Sequence, residues 1–388
     1  MSVSHWQLRD TTTETCDALV IGGGIAGIAV ARTLADRGCS FRVLERHRVA
    51  WGASGRNAGF LMRGAADNYA VAVREWGRDR AKALWTFTEE NLALLRSWGI
   101  ESLPNYRRIP SCLLGLTERE SEELRESRRL MSEDGFAVGD RAALEPDSIL
   151  SRAGERVEAL VNPDDGACHS VEVLEFLSRP VRDFIREGAE VARIEAMGSG
   201  ARVTSSAGVF EADRVFVCAN AWADRVLQVA GHRRSPAVVA PKRGQMFAAE
   251  GDGLTFSASY YMNRGSEYVR LAADGTLLVG GCRTTHAEEE VGYDDHVTER
   301  VQTALERFAE VILGEPPRVK HRWAGIMGFG PGGLPVVDTI GERLGFDRDD
   351  RVTLCAGFTG HGMSMAARAS QLAVARSLDR SETLFPLA

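Results

Sequence analysis

A glycine-rich turn near the start of the chain carries the clearest chemical signal. Residues 22–27 (GGGIAG) follow an apolar run and precede a stretch with helical periodicity. Glycines at such a turn let backbone N–H groups approach a pyrophosphate, and the next helix points its positive end at it. Glu45 ends the following apolar run, 23 residues after Gly22, where a carboxylate can reach an adenosine ribose hydroxyl. The pattern predicts a dinucleotide site whose contacts are Gly22, Gly24, Ile25, Ala26, Gly27, Glu45 and Arg46.

The spacing of apolar residues predicts the strands and helices that position this site. A strand, a helix and a second strand are predicted over 17–21, 25–37 and 41–44. Downstream, apolar spacing predicts further helices over 68–98, 117–135, 170–188 and 296–313. The last fifth of the chain again reads as a strand, a glycine loop and a helix, over 351–355, 357–362 and 363–378.

The middle of the chain has a different pattern. From about residue 236 to 281, short apolar segments alternate with Gly and Asp, which predicts an antiparallel sheet with a hairpin turn at 273–275. We therefore expect an α/β fold, with a discontinuous nucleotide-binding domain and an inserted, mostly antiparallel β domain that carries helices. The predicted division assigns 14–85, 150–230 and 320–388 to the first domain, and 86–149 and 231–319 to the second.

Composition narrows the class of protein. The 388 residues are 44% hydrophobic and 26% charged, as in ordinary soluble globular proteins of two domains. The net charge of −7 comes with no basic stripe, so no nucleic-acid partner is expected. Seven cysteines without a CxxC pair indicate free thiols in a reducing cytoplasm, with neither disulfides nor a metal site. The N-terminus lacks a signal pattern, and the longest apolar stretch, 18–34, holds four glycines and Arg32, so no transmembrane segment is expected.

Four segments together resemble the D-amino-acid oxidase, glycine oxidase and sarcosine oxidase superfamily of FAD-dependent oxidoreductases. They are 20–38 with Glu45, 51–60 (WGASGRNAGF), 213–223 with its ANAWA end, and 356–366 (AGFTGHGMSMA). The resemblance covers nearly the whole chain. It implies a Rossmann-like FAD-binding domain of the glutathione-reductase type, with FAD held between that domain and a sheet-based substrate domain.

The resemblance also implies which residues contact FAD. A second anchor must hold the middle and the flavin end of this long cofactor, and loop 52–59 offers small residues and donors for it; an ordinary surface turn is the alternative interpretation. Val191 is implied to pack near the adenine, although by itself it would be a core valine. The implied contacts outside the glycine-rich turn are Gly52, Ala53, Ser54, Arg56, Asn57, Ala58, Gly59, Val191, Ala219, Asn220, Trp222, Gly357, Phe358, Gly360, His361, Gly362 and Met363.

The turn at 360–362 opens the last predicted helix. A helix N-terminus at the pyrimidine edge would stabilise negative charge on the reduced flavin. His361 then either contacts flavin or substrate directly or braces the turn. Some relatives attach FAD through a histidine where this chain has Arg56-Asn57, and others through a cysteine where it has 321–323 (HRW), so the resemblance implies non-covalent FAD.

The family's common reaction is oxidation of a C–N bond. A hydride leaves the carbon next to an amine for flavin N5, the imine hydrolyses, and oxygen or another acceptor takes the electrons. Positioning a neutral amine supplies most of the catalysis, so the sequence assigns no base. Oxidation of a 2-hydroxy acid is an alternative that needs a base, which His361 could provide. A non-catalytic nucleotide-binding protein is a third interpretation, against which both flavin-facing glycine motifs argue.

The substrate end of the site has several candidate residues. A substrate carboxylate calls for an arginine, and the candidates are Arg63, Arg270 and Arg322; the alternatives are that Arg63 binds FAD phosphate or covers a loop and that Arg270 is an exposed sheet residue. Lys242 either lies near the flavin face, where a cation would favour superoxide formation, or is a surface lysine.

Two positions depart from the family pattern. Amino-acid-oxidising relatives often have arginine in place of Met327, and sarcosine-oxidising relatives have lysine in place of Ser364. The resemblance therefore favours an amine, or a larger amino acid, over a standard small amino acid. An apolar pocket is expected from Tyr260, Tyr261, Trp323, Met327 and Phe329.

Overall fold

Two large β-sheets, a further two-stranded sheet and surrounding helices make up the part of the chain that the computed structural model describes, residues 13–154, 157–198 and 200–379. In chain order the strands are β1 (Glu14–Ile21), β2 (Phe41–Leu44), β3 (Phe60–Leu61), β4 (Ser111–Gly115), β5 (Glu158–Asn162), β6 (Gly166–Ala167), β7 (Ile185–Arg186), β8 (Val191–Met197), β9 (Gly200–Ser205), β10 (Gly208–Val217), β11 (Ala240–Ala249), β12 (Ser259–Met262), β13 (Glu267–Leu271), β14 (Leu277–Gly281), β15 (Val319–Phe329), β16 (Val336–Ile340) and β17 (Asp349–Ala356). The α-helices of the same residues are α1 (Ile25–Asp36), α2 (Tyr69–Trp76), α3 (Arg78–Ser97), α4 (Glu118–Glu133), α5 (Ser148–Ala153), α6 (Ser170–Ser178), α7 (Ala223–Val229), α8 (Glu299–Leu313) and α9 (Gly362–Asp379).

The first sheet is the nucleotide-binding core. Its order is β16-β17-β10-β1-β2-β7, and the pairs from β17 to β7 are all parallel. The β8–β9 hairpin extends this sheet, because β9 pairs antiparallel with β10. Helices α1 and α9 pack against each other beside this sheet. Because parallel strands are covered on both faces, the carboxyl-terminal parts of β1 (18–21) and β10 (215–217) are apolar and buried. The predicted α/β class with a Rossmann-like sheet is confirmed.

The second sheet faces the first across the cavity described below. Its order is β15-β11-β14-β13-β12-β4-β5, and every pair except β12–β4 is antiparallel. Strands β5 and β15 belong to this sheet, whereas the predicted boundaries at 150 and 320 assigned them to the first domain. A division that follows the sheets therefore moves both strands to the second domain.

Two predicted helices are shorter than expected. The helix expected over 68–98 is interrupted at Gly77, whose φ of 85° is a conformation that side chains rarely adopt, so α2 and α3 are separate helices. The helix expected over 170–188 ends at Ser178. A 3₁₀ segment that contains Pro180 follows and leads into β7.

Two further observations complete the fold. None of the helices within the described ranges is long and apolar enough to cross a membrane. The seven cysteines all lie in those ranges, and each is a free thiol.

Candidate cofactor and substrate cavity

A cavity of about 550 Å³ runs from the carboxyl end of β1 to the face of the second sheet. All four segments that carried the resemblance contribute to its wall. The expected FAD contacts that line it are Gly22, Gly24, Ile25, Ala26, Glu45, Arg46, Gly52, Ala53, Ser54, Arg56, Asn57, Ala58, Val191, Ala219, Asn220, Trp222, Phe358, Gly360, His361, Gly362 and Met363. Gly27, Gly59 and Gly357 are expected contacts that do not line it.

The glycine-rich turn is packed too tightly for side chains at two positions. A Cβ atom on Gly27 would lie 1.8 Å from the carbonyl oxygen of Gly22, and one on Gly22 would lie 2.6 Å from that of Cys218. Helix α1 can therefore begin directly beside the turn. Gly24, its N-cap, supplies no side-chain cap. The N–H of Ile25 donates to the Ser54 hydroxyl, which leaves the other first-turn N–H groups beside the cavity for a ligand. This arrangement fits a diphosphate.

Glu45 fixes the turn from the neighbouring strand end. Its Oε2 atom accepts the N–H of Gly23 at 2.6 Å, and its Oε1 atom accepts the N–H of His47 at 2.8 Å. Since each carboxylate oxygen accepts more than one hydrogen bond, Glu45 also has capacity for a ribose hydroxyl in the cavity that it lines.

Loop 52–59 is held from within and from the second sheet. The Asn57 side-chain amide donates to the carbonyls of Ala53 and Ser54 at 3.1 and 2.8 Å, and its Oδ1 accepts the N–H of Gly59 at 2.7 Å. Arg56 Nη1 donates to the carbonyl of Ala324 in β15 at 3.1 Å, and the same atom lies 2.5 Å from Asp295 Oδ2. A rigid loop of this kind suits the middle of a long, flexible cofactor.

Arg270 supports this loop from behind and does not line the cavity. It is 6% exposed, its Nε donates to the carbonyl of Ala58, and its Nη2 donates to the carbonyl of Cys168 at 2.8 Å. A Cβ atom on Gly59 would lie 2.7 Å from the same Nη2 atom. Arg270 is therefore neither the expected carboxylate contact nor an exposed sheet residue. Both interpretations are wrong because loop carbonyls use its donors and its side chain is buried.

Arg63 and Arg322 also lie outside the cavity wall. The Arg63 guanidinium binds Glu89 at 2.8 Å and the Asn162 amide oxygen at 2.6 Å, and only 3% of its side chain is exposed. Arg322 pairs with Glu306 at 2.6 Å. The structure thus directs all three arginines chosen from the sequence away from the cavity.

The second sheet lines its end of the cavity with aromatic rings. Tyr261 and Phe329 line it as expected, together with Met327, but Tyr260 and Trp323 do not. Sequence analysis missed Phe60 and Tyr268, which also line it. The ring of Phe60 lies 4.7 Å from that of Tyr261 and 5.8 Å from that of Tyr268. In the structure Tyr261 pairs with Tyr268 across the β12–β13 hairpin, a register that the sequence analysis did not predict.

Two cations stand beside Phe329 at this end. Lys242 does not line the cavity, but its Nζ lies 4.5 Å from the centre of the Phe329 ring. Arg283, which sequence analysis missed, does line the cavity, and its Cζ lies 5.0 Å from the same centre. No local motif marks Arg283, since it simply follows the end of β14.

His361 faces the cavity in the turn before α9. Its Nδ1 lies 3.1 Å from the carbonyl oxygen of Thr359. Because a carbonyl only accepts, Nδ1 carries the proton, and the neutral ring leaves Nε2 as an acceptor. Burial lowers the pKa of His361, which favours this neutral form near pH 7.

Comparison with known proteins agrees with this geometry. A family model described as FAD dependent oxidoreductase, DAO, matches residues 17–376. Gamma-glutamylputrescine oxidoreductase of Escherichia coli is 25% identical over 391 residues, covering 96% of this chain and 86% of that protein. Glycine oxidase of Bacillus licheniformis is 24% identical over 364 residues, covering 92% and 91%. The crystal structure of glycine oxidase from Geobacillus kaustophilus has the same fold, with a TM-score of 0.76 at 21% identity over 96% of this chain and 97% of that one.

Proposed function

The chain belongs to the FAD-dependent oxidoreductase (DAO) family, and on that premise we propose that it oxidises a C–N bond of a small amine or amino acid with non-covalently bound FAD. Bound FAD supplies the hydride acceptor. The substrate loses a hydride from the carbon next to nitrogen and a proton from the nitrogen, and the resulting imine reacts with water to give a carbonyl compound and an amine or ammonia.

The distribution of charge in the cavity carries this proposal. Among the described residues, the carboxylates that line it are Glu45 and Glu190, and both lie at the glycine-rich end, where Ala189 donates to the carbonyl of Glu45. The end at the second sheet instead has aromatic rings, the neutral His361 and the cation Arg283. Such surroundings disfavour an ammonium ion, so they favour the neutral amine, which is the form that can release a hydride.

The relatives support the same class of substrate. The names of the E. coli and B. licheniformis proteins identify a gamma-glutamylated diamine and glycine as what those proteins act on. Both compounds carry an amine and a carboxylate. We extend to this chain only the shared chemistry, an amine whose neighbouring carbon is oxidised.

Oxidation of a 2-hydroxy acid is the second candidate. It is favoured by the Nε2 atom of His361, which as an unprotonated acceptor could take an alcohol proton.

Anaerobic reduction of the purified yellow protein separates these functions. We expect members of an amine and amino-acid panel to bleach the flavin absorbance, and readmitted oxygen to restore it with peroxide if oxygen is the acceptor. Bleaching by hydroxy acids alone would support the second candidate. Protein that stays colourless after reconstitution with FAD would contradict both.

A further inference from the structure

We propose that a strap beside the second sheet, residues 289–297, gates the entry and release of FAD. One contact of the strap joins Tyr293 to Trp222, at the end of the first sheet. The other joins Asp295 to Arg56, and both contacts have to separate before the cofactor can pass. The inference rests on FAD binding by this family and is independent of which substrate is oxidised.

The strap is fixed firmly to the second sheet. Glu290 is 1% exposed, and its carboxylate accepts the Nε and Nη2 donors of Arg243 in β11 at 2.9 and 2.7 Å. The Nη1 atom of Arg243 also donates to the carbonyl of His296 at 3.1 Å. Directly after the strap, the Gln245 side chain of β11 accepts the N–H of Thr298 at 2.9 Å. Because buried, charge-assisted hydrogen bonds hold it, the strap moves with this sheet as one rigid arm.

The first contact stacks aromatic and cationic groups across the two sides of the cavity. The Tyr293 ring lies 5.7 Å from the Trp222 ring, and the Cζ atom of Arg225 lies 3.7 Å from the centre of the Tyr293 ring. Trp222 and Arg225 line the cavity, whereas Tyr293 does not. Tyr293 therefore braces from outside two side chains that face the cofactor.

The second contact reaches the loop that faces the middle of the cofactor. Arg56 lines the cavity within loop 52–59, and its Nη1 atom lies 2.5 Å from Asp295 Oδ2. Tyr293 and Asp295 are two residues apart, so their Cα atoms are separated by about 7 Å at most. The strap therefore bridges two parts of the cavity wall, the loop and the Trp222 side, where they lie close together.

The contacts of the strap with the first-sheet side are the ones that can open. The Asp295 side chain is 47% exposed, and an ion pair in such surroundings contributes little stability. The Tyr293 side chain is only half-buried, in contrast to Glu290 at the base of the strap. Local opening therefore separates Tyr293 and Asp295 from their partners while the strap stays on its sheet.

A gate of this kind has a kinetic signature. Both contacts join protein groups only, so they form whether or not FAD is bound. A closed strap then obstructs entry as much as release, and the fraction of time spent open scales both rate constants. A residue that only supports bound FAD would instead change the release rate and the Kd together.

Exchange of FAD in the loaded protein tests the inference without turnover. The release rate is followed after mixing with an excess of a spectrally distinct FAD analogue, and the Kd is obtained from free FAD at equilibrium. The association rate constant follows from the two. We expect Tyr293→Ala to raise both rate constants about tenfold while the Kd changes less than threefold. Tyr293→Phe keeps the ring and should change each rate constant less than threefold.

The ion pair gives a second, milder test. Asp295→Asn should raise both rate constants about two- to fivefold, and added salt should accelerate FAD release in wild type but not in this variant. The matched control is Asp164→Asn, which removes a similarly exposed pair with Arg108 outside the cavity. It should leave release of FAD and its response to salt unchanged.

Two results would overturn the proposal. One is a release rate within twofold of wild type in folded Tyr293→Ala protein. The other is a Kd that rises as much as the release rate, because Tyr293 would then support bound FAD without obstructing its path. If Tyr293→Ala does not fold, the same two criteria apply to Asp295→Asn, with no change in release as the contradicting outcome. None of these measurements involves an amine, so the gate and the proposed function can fail separately.

Discussion

The backbone N–H of Ile25 donates to the hydroxyl oxygen of Ser54 at 3.0 Å. This bond joins the first turn of α1 to loop 52–59, so two motifs 29 residues apart form one continuous wall of the cavity. The same hydroxyl lies 3.0 Å from the position that a Cβ atom on Gly24 would take.

Ser54→Ala should weaken FAD binding without unfolding the protein. A neutral hydrogen bond contributes about 0.5–1.5 kcal/mol, so we expect the Kd for FAD to rise about 3–10-fold. Fluorescence titration of the apoprotein measures this change. Ser97→Ala, at an exposed hydroxyl in α3, is the matched control and should leave the Kd unchanged. Equal Kd values for Ser54→Ala and wild type would show that the hydrogen bond between Ile25 and Ser54 does not support FAD binding.

Gly27→Ala should cost the protein most of its FAD. Its methyl group would lie 1.8 Å from the carbonyl oxygen of Gly22, which forces α1 away from the turn. The ratio of flavin to protein absorbance after gel filtration should fall at least tenfold. Gly341→Ala is the control, because Gly341 is extended and its Cβ would meet nothing closer than 4.0 Å. Full FAD content in Gly27→Ala would contradict the packing of this turn.

Sequence predicted the parts of this site that short-range interactions determine. It did not predict the parts that depend on contacts between residues far apart in the chain. The glycine-rich turn, Glu45 and the 360–362 turn were accessible because short-range spacing determines their backbone geometry. Arg63 was chosen because it follows the flavin loop and Arg270 because it lies in a sheet segment, and neither position determines which way a long side chain points. Their guanidiniums are instead used by Asn162 and by loop carbonyls far along the chain.

Sequence analysis missed two further features of the structure because no local pattern determines them. Arg283 was missed because its position depends on the pairing of β14 and on left-handed backbone just before it, neither of which has a local pattern. The break at Gly77 was missed because an isolated glycine within a helical pattern is compatible with either continuation or interruption.

Asp165→Asn should change how stability depends on pH. Burial raises the pKa of Asp165 to about 7, above the ordinary value of 3.8. The unfolded chain therefore releases this proton near pH 4 and the folded chain only near pH 7, so the stability linked to Asp165 is lost as pH rises through that window. Asparagine can still accept from the N–H of Arg63 and donate to the Ser111 hydroxyl.

Urea unfolding at pH 5 and pH 8 measures this effect. Relative to wild type, Asp165→Asn should gain more than about 1 kcal/mol of unfolding free energy between pH 5 and pH 8. Parallel pH profiles for the two proteins would show that Asp165 ionises normally in the fold.

His361→Gln should distinguish amine from alcohol oxidation. A neutral amine needs no base to release a hydride, so we expect the rate of anaerobic FAD reduction by an amine to fall less than tenfold. A hydroxy acid does need a base, and its rate should fall about 10²–10⁴-fold. Stopped-flow absorbance measures both rates. A loss of 10³-fold or more with an amine would mean that His361 removes the substrate proton.

An anaerobic single turnover with equal amounts of FAD-loaded protein and amine tests the central claim most directly. The account predicts complete bleaching of the flavin band, with one carbonyl product and one released amine or ammonia for each flavin reduced. FAD-loaded protein that no amine or amino acid bleaches, but that a 2-hydroxy acid reduces fully, would contradict C–N oxidation as the function of this chain.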